Sequence, residues 1–345
     1  MKTVRGTHRA VPLGLAALLG STVLLAACSS GSATPAATAG SSGASSADVT
    51  IGIVELNLSN PFFGTLEKAT EAAATANGWK VMKSEAKVPG DSATQVTAIE
   101  NMINAKVKGI VLDPANATAL VNVVKKARDA GILVVTVNAN LTPIDAADAT
   151  FATDNKAAGV LIGKWAKVSG PANPSIAMLD YDLSDGPANG RHVGFLEGYG
   201  IADGSPLIAG SALTKGSVDT GQSAMESLLA AHPGINLAYT INEPVAHGAN
   251  TAAKNKGVAV TFVSVDGACS GVQDVKGGII GATAMQFPSK MGEMAVAAIA
   301  AYVKDGTKPA SGLTDSGAVL ITDKAAAGLD SQNSTWGLDH CWGTK

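Results

Sequence analysis

The stretch Gly267-Ala268-Cys269-Ser270-Gly271 has the outline of a nucleophile elbow, with cysteine where a serine would stand, between an apolar run and a helical pattern. A thiolate at Cys269 would attack an ester, and His247 or His192 would have to take its proton. Against that hydrolase reading, Gly-x-Cys-x-Gly arises easily among 39 glycines, and Cys341 offers Cys269 a disulfide partner. The other reactive signatures are absent: there is no His-Glu-x-x-His, Cys-x-x-Cys, Walker loop or Gly-x-Ser-x-Gly. His192, His232, His247 and His340 lack ligand spacing, so neither a metal nor another cofactor is expected, and the chain reads as a non-enzyme. A second pattern suits binding rather than reaction. Asn60, Asn138, Asn242, Asp266 and Gln286 each follow an apolar run, and Phe62 and Phe63 come directly after Asn60-Pro61. Asn and Asp also make turns and helix caps, so any one of these is as readily structural. Five in corresponding positions point to one shared edge.

Apolar runs of strand length alternate with helical patterns along the chain, which predicts an α/β fold built on parallel sheets. Val49–Val54 leads to a helix over Pro61–Asn77, with Asn60 as N-cap and Pro61 in the first turn, where its missing amide costs nothing. Further strands are expected near Trp79–Ser84, Gly109–Leu112 and Leu133–Asn138, and helices over Ser92–Ala105 and Ala117–Ala130. The chain crosses to a second unit near Thr153. Strands near Ile176–Leu179, Leu207–Ala212, Leu237–Ile241, Val260–Val265 and Ile279–Met285 then repeat the rhythm, and Pro288 opens a long helix to Lys304. Ala318–Thr322 reads as a last strand and the tail through Trp342 as irregular. Two α/β halves leave a cleft at the carboxyl ends of their strands, where open sheets bind ligands. Glu55, a lone acid ending the first strand, is expected to be solvated, a hinge or cleft residue being the alternative.

A net charge of -3 with 15% charged residues gives no basic excess for phosphates, so nucleic acid is excluded as a partner. Lys2, Arg5 and Arg9 precede an apolar run over Val11–Ala27, the form of an export signal covering residues 1–27. Leu25-Ala26-Ala27-Cys28 resembles the lipobox of bacterial lipoproteins, which makes Cys28 the lipidated first residue of an exported, membrane-anchored protein. Residues 28–47, nearly all Ser, Gly, Ala, Thr and Pro, read as a flexible tether. In an oxidising compartment Cys269 and Cys341 are expected to form a disulfide, two buried free thiols being the alternative.

Asn60-Pro61-Phe62-Phe63, Ala152-Thr153-Asp154-Asn155, Leu229-Ala230-Ala231-His232-Pro233, Ile241-Asn242-Glu243-Pro244, Val265-Asp266-Gly267 and Met285-Gln286-Phe287-Pro288 occur in that order. In these motifs the chain resembles the substrate-binding proteins of sugar ABC importers, the ribose-type (type I) periplasmic family. Tyr239-Thr240, Cys269 and Cys341-Trp342-Gly343 bring it nearest the fructose-binding branch. The resemblance implies two doubly wound parallel-sheet lobes joined by a three-segment hinge: residues 48–153 plus 287–307, and 154–286 plus 308–345. It implies a monosaccharide or polyol held by Asn60, Phe62, Phe63, Asn138, Asn140, Asn189, Arg191, Asn242, Asp266 and Gln286, then passed to an ABC permease. Aromatic faces suit the C–H faces of a sugar, and mixed Asn, Gln and Asp supply donors and acceptors for hydroxyls. The chain has Asn138-Ala139 where ribose binders carry Asp-Arg, and no aromatic near Gly216, which favours a ketose or polyol over ribose. A sensor that docks on a chemoreceptor or kinase is the alternative in a different class.

Overall fold

The structure is a computed structural model and describes residues 49–56, 58, 60–88 and 90–344. The expected signal, Cys28 with its lipid, and the tether to residue 47 lie outside the described residues. The first five strands, β1 (Thr50–Glu55), β2 (Lys80–Glu85), β3 (Gly109–Leu112), β4 (Leu133–Val137) and β5 (Ala149–Ala152), alternate with helices α1 (Pro61–Ala76), α2 (Ser92–Asn104) and α3 (Val121–Asp129), and a short 3-10 helix (Ile144–Ala146) leads from β4 to β5. These strands are parallel, and every residue of β3, β4 and β5 is buried, because helices cover both faces of the sheet. Ile51, Leu66 and Val135 pack on one face, and Val54, Ile99, Leu112 and Val124 on the other.

The second sheet follows from β6 (Ile176–Asp180), β7 (Ile208–Leu213), β8 (Leu237–Thr240), β9 (Thr261–Asp266) and β10 (Ile280–Gln286). Its helices are α4 (Asn155–Ser169), α5 (Gly186–Tyr199), α6 (Val218–Ala231), α7 (Glu243–Lys256) and α8 (Cys269–Lys276). Helices α4 and α5 meet at backbone distance: a Cβ added at Gly159 or Gly163 would collide with the backbone around Arg191–Phe195 and Phe195–Tyr199. That approach seats the start of α5, and so Arg191, at the end of the second sheet.

Helix α9 (Pro288–Asp305) returns to the first sheet, where Ile299 and Met291 join its core. Two short strands close the fold. β11 (Leu313–Asp315) pairs in parallel with β5, whereas β12 (Ala318–Ile321) pairs antiparallel with β10. The sheet orders are β11-β5-β4-β3-β1-β2 and β12-β10-β9-β8-β6-β7. The chain therefore passes between sheets after β5, after β10 and between β11 and β12. Asp315 Oδ1 ties two of these passages together, accepting from the Asp154 amide at 2.9 Å and the Gly317 amide at 2.8 Å. The first lobe keeps the chain through Asp315, not only through 307 as the sequence suggested, because β11 adds an edge strand there.

The tail is also more ordered than expected. It forms α10 (Ser334–His340), which packs on α8, and Cys341 is joined to Cys269 by a disulfide. Trp342 then reaches the first lobe, edge-on to Phe62 at 5.5 Å between ring centroids, and its indole N–H donates to the Gln286 carbonyl at 3.1 Å. No helix of the described residues is long and apolar enough to cross a membrane.

Candidate functional site

Strand β9 delivers Asp266 to the carboxyl edge of the second sheet and β10 delivers Gln286 beside it. Gln286 Nε2 donates to Asp266 Oδ1 at 3.1 Å, and Arg191 Nη1 approaches the same oxygen at 3.6 Å. The guanidinium is fixed from two further sides: Nε donates to Asn155 Oδ1 and Nη1 to the Ile241 carbonyl, both at 2.8 Å. All of Arg191, Asp266 and Gln286 are buried, yet Gln286 Oε1 has no partner. Asp266 has φ 154°, a backbone state that L residues seldom take and that persists only where neighbours over-determine it. Burial raises its carboxyl to about 6, with Arg191 and Gln286 opposing the rise.

Glu243, the first residue of α7, holds the loop that carries Asp266. Its carboxyl accepts from the Gly267 amide at 2.8 Å, the Ala268 amide at 3.0 Å and the Thr283 hydroxyl at 2.8 Å. A Cβ at Gly271 would fall on that carboxyl, so glycine makes the room for it. Burial first, and the Asp266 charge second, push Glu243 to about 8. Asn242 caps α7, accepting from the Val245 amide at 3.1 Å and donating to the Gly216 carbonyl at 3.0 Å.

On the first lobe, Asn60 Oδ1 caps α1 through the Phe62 amide at 2.9 Å. Phe62 is a core residue, whereas Phe63 is half-buried with its ring centroid 5.6 Å away. Asn138 takes a left-handed φ of 62°, which a short amide tolerates, and donates Nδ2 to Asp113 at 3.1 Å. Asn140 donates to the Leu141 carbonyl at 2.9 Å and faces the start of α5, where a Cβ at Gly186 would lie 3.7 Å from its Oδ1.

The structure thus brings Arg191, Asp266 and Gln286 into one network, sets Asn138 on Asp113, and places Asn140 against the other lobe. Asn189 stands apart, exposed on α5, and Phe62 makes T-shaped contacts with Phe63 and Trp342. Glu55 is a correction: it is wholly buried, because Ile51, Ile53 and Glu55 alternate onto the face that α1 covers. Three residues escaped the sequence reading of the site: Asp113, Asn155 and Glu243. Asp113 follows an apolar strand as the five polar positions do, so the same rule would have found it. The hydrolase alternative is overturned, because Cys269 is disulfide-bonded and has no thiol to ionise. The two imidazoles are also committed elsewhere, His192 to Asp180 at 3.0 Å and His247 to Asp274 at 2.9 Å.

Known proteins share this fold. The chain is 28% identical to the ribose import binding protein of Bacillus subtilis over 255 residues, covering 73% of this chain and 80% of that one. Among solved structures, an ABC transporter solute-binding protein from Mycobacterium smegmatis with bound glycerol superposes with a TM-score of 0.73 at 26% identity, over 84% of this chain and 96% of that one. One from Agrobacterium vitis with bound D-fucose gives 0.70 at 28% identity, over 79% and 95%. Residues 51–308 match the profile of the periplasmic binding protein domain, and the chain belongs to that family.

Proposed function

We propose that this protein is the extracytoplasmic solute-binding component of an ABC importer, anchored through a lipid on Cys28, which captures a monosaccharide or polyol between its lobes and hands it to the permease. One observation carries the reading: a buried Arg191–Asp266–Gln286 network at the carboxyl ends of β9 and β10, in which Gln286 Oε1 lacks a donor. A hydroxyl arriving there gives that oxygen its hydrogen bond and receives one from the guanidinium, which removes the penalty of an unsatisfied buried acceptor. Phe63 and Asn60 oppose the network from the first lobe in this reading, and Asn138 and Asn140 complete the hydroxyl partners. Asn138-Ala139, in place of Asp-Arg, favours fructose or a related ketose or polyol over ribose. The relatives support the solute class: ribose for the Bacillus subtilis protein, D-fucose and glycerol in the two structures.

The test is a thermal-shift screen of the full chain against pentoses, hexoses, ketoses and polyols, because a ligand that binds only the folded state raises its melting temperature. A rise with fructose or a polyol and none with ribose is expected. A rise with ribose alone refutes the ketose preference, and no rise with any member refutes the carbohydrate reading.

A further inference from the structure

The first lobe carries a feature that capture of a neutral sugar leaves unexplained. Glu55 ends β1 and Asp113 directly follows β3, and these strands are neighbours in register Val54 to Leu112, with the Asp113 amide donating to the Val54 carbonyl at 2.8 Å. Ile51 and Val111 lie in the same core cluster, so by alternation both carboxyls fall on the α1 side of the sheet, side by side at its carboxyl edge. Gln95 pins the two strand ends, donating to the Asp113 carbonyl at 2.8 Å and accepting from the Ala115 amide at 2.8 Å.

Both carboxyls are wholly buried, and neither oxygen of Glu55 has a hydrogen-bond partner. The Leu56 amide is near enough to favour the anion but is not in hydrogen-bonding geometry. Asp113 has only the neutral amide of Asn138 on its carboxyl. The surrounding field is negative. Glu67 on α1 acts on Glu55, and Asp185 at the start of α5 acts on Asp113 from the other lobe. Among the described cations, Lys83 is engaged by Glu67 and Glu71, and Arg191 by Asp266, Asn155 and Ile241. Burial above all raises both carboxyls well above the ordinary range and so favours their neutral acids; an ammonium, with three donors and a positive charge, offsets that cost where a hydroxyl, with one donor, does not.

We infer that Glu55 and Asp113 take a protonated amine of the ligand, so that the captured solute is an amino sugar or amino polyol. This rests on the carbohydrate-binding reading above and names the class of solute within it. Arg191, Asp266 and Gln286 then meet the hydroxyl end of the molecule, and Asp185 adds negative charge opposite the amine when the lobes meet.

The experiment is calorimetric titration of the full chain with matched pairs: D-fructose and fructosamine, D-glucose and D-glucosamine, D-galactose and D-galactosamine. In at least one pair the amine is expected to bind about tenfold tighter or more, which is about 1.4 kcal/mol. Glu55→Gln, an isosteric change checked for a cooperative melt, is expected to bring that ratio within about twofold. If that variant does not fold, Asp113→Asn supplies the same readout, and the wild-type pairs decide on their own. A neutral sugar that binds with no tenfold preference for its amine overturns the inference and leaves the carbohydrate reading standing. No binding by either member of any pair overturns the inference, and the thermal-shift screen then decides the carbohydrate reading separately. A tenfold preference that survives in folded Glu55→Gln removes the amine from this carboxyl pair.

Discussion

Asp266 is held by groups of opposite demand: burial favours its neutral acid, while Arg191 and Gln286 favour its anion. Asp266→Asn keeps the shape and removes the charge, leaving a buried guanidinium with no counter-ion. Breaking a buried pair by removing one partner costs about 3–5 kcal/mol. That cost falls on the fold, and the same change replaces a charged acceptor at the proposed binding edge, so calorimetric titration is expected to show ligand affinity lowered by about a hundredfold, and wild-type affinity in this variant would place the binding edge elsewhere. The pH dependence follows from Glu243, raised to about 8, and Asp266, raised to about 6. Both lie above the ordinary carboxylate value, so the folded protein binds these protons more tightly than the unfolded chain. Their stabilisation is complete below about pH 4 and is lost as the pH rises through 6 and 8. The unliganded protein is expected to melt at a higher temperature at about pH 5 than at about pH 8.5, with Glu243→Gln reducing the difference; a rise in melting temperature with pH would contradict this. The strand-end rule picks out Asp266 and Gln286, which the structure joins by a hydrogen bond, because each closes a long apolar run. It misjudged Glu55, because a charged residue at a strand end reads as solvated unless the covering helix is known. Glu243 was visible only as part of a motif, since nothing in a sequence says that a carboxylate will turn inward to cap a loop.

The apolar strands and Ala-rich helices were legible because their periodicity and caps are local; Asn60, Asp154, Asp185, Ser217 and Asn242 all accept at the helix starts they precede. Elements stabilised by distant contacts were not. β11 is three exposed residues with no apolar run, and exists because β5 offers an open edge. Helix α10 was hidden likewise, because its seven residues depend on α8 beneath them and on the Asn333 cap. The disulfide that anchors this tail closes a segment of 72 residues, which in the chain-entropy account is worth about 4 kcal/mol. Reductant is expected to lower the melting temperature of the wild type and to leave a Cys269→Ser, Cys341→Ser double variant unchanged. Equal melting of wild type with and without reductant would mean the bridge contributes nothing. Trp342, held between Phe62 and the Gln286 carbonyl, links the two lobes beyond the strand passages. Trp342→Ala removes that contact and is expected to cost about 3 kcal/mol in stability, measured by denaturant unfolding.

Each lobe has its own core on both faces of its own sheet, and three strand or loop passages with the tail join them. Coupling between two such cores is weak unless something touches both. Asn138, Asn140 and Asp113 stand on one side, and Arg191, Asp266 and Gln286 on the other, so a ligand contacting both groups binds the closed arrangement and shifts the population toward it by its differential affinity. The unliganded protein is therefore expected to unfold in a broad calorimetric transition whose van't Hoff enthalpy falls below the calorimetric one, as two loosely coupled units do. At a ligand concentration about a hundredfold above Kd, binding adds about 2.7 kcal/mol, enough to raise the midpoint by about 5 °C. Because the ligand is lost when either lobe opens, it also couples them, and the two enthalpies are expected to converge as the peak sharpens. A midpoint that rises while the peak stays broad would show the ligand held by one lobe alone, and would place the binding site on a single sheet edge instead of between the two.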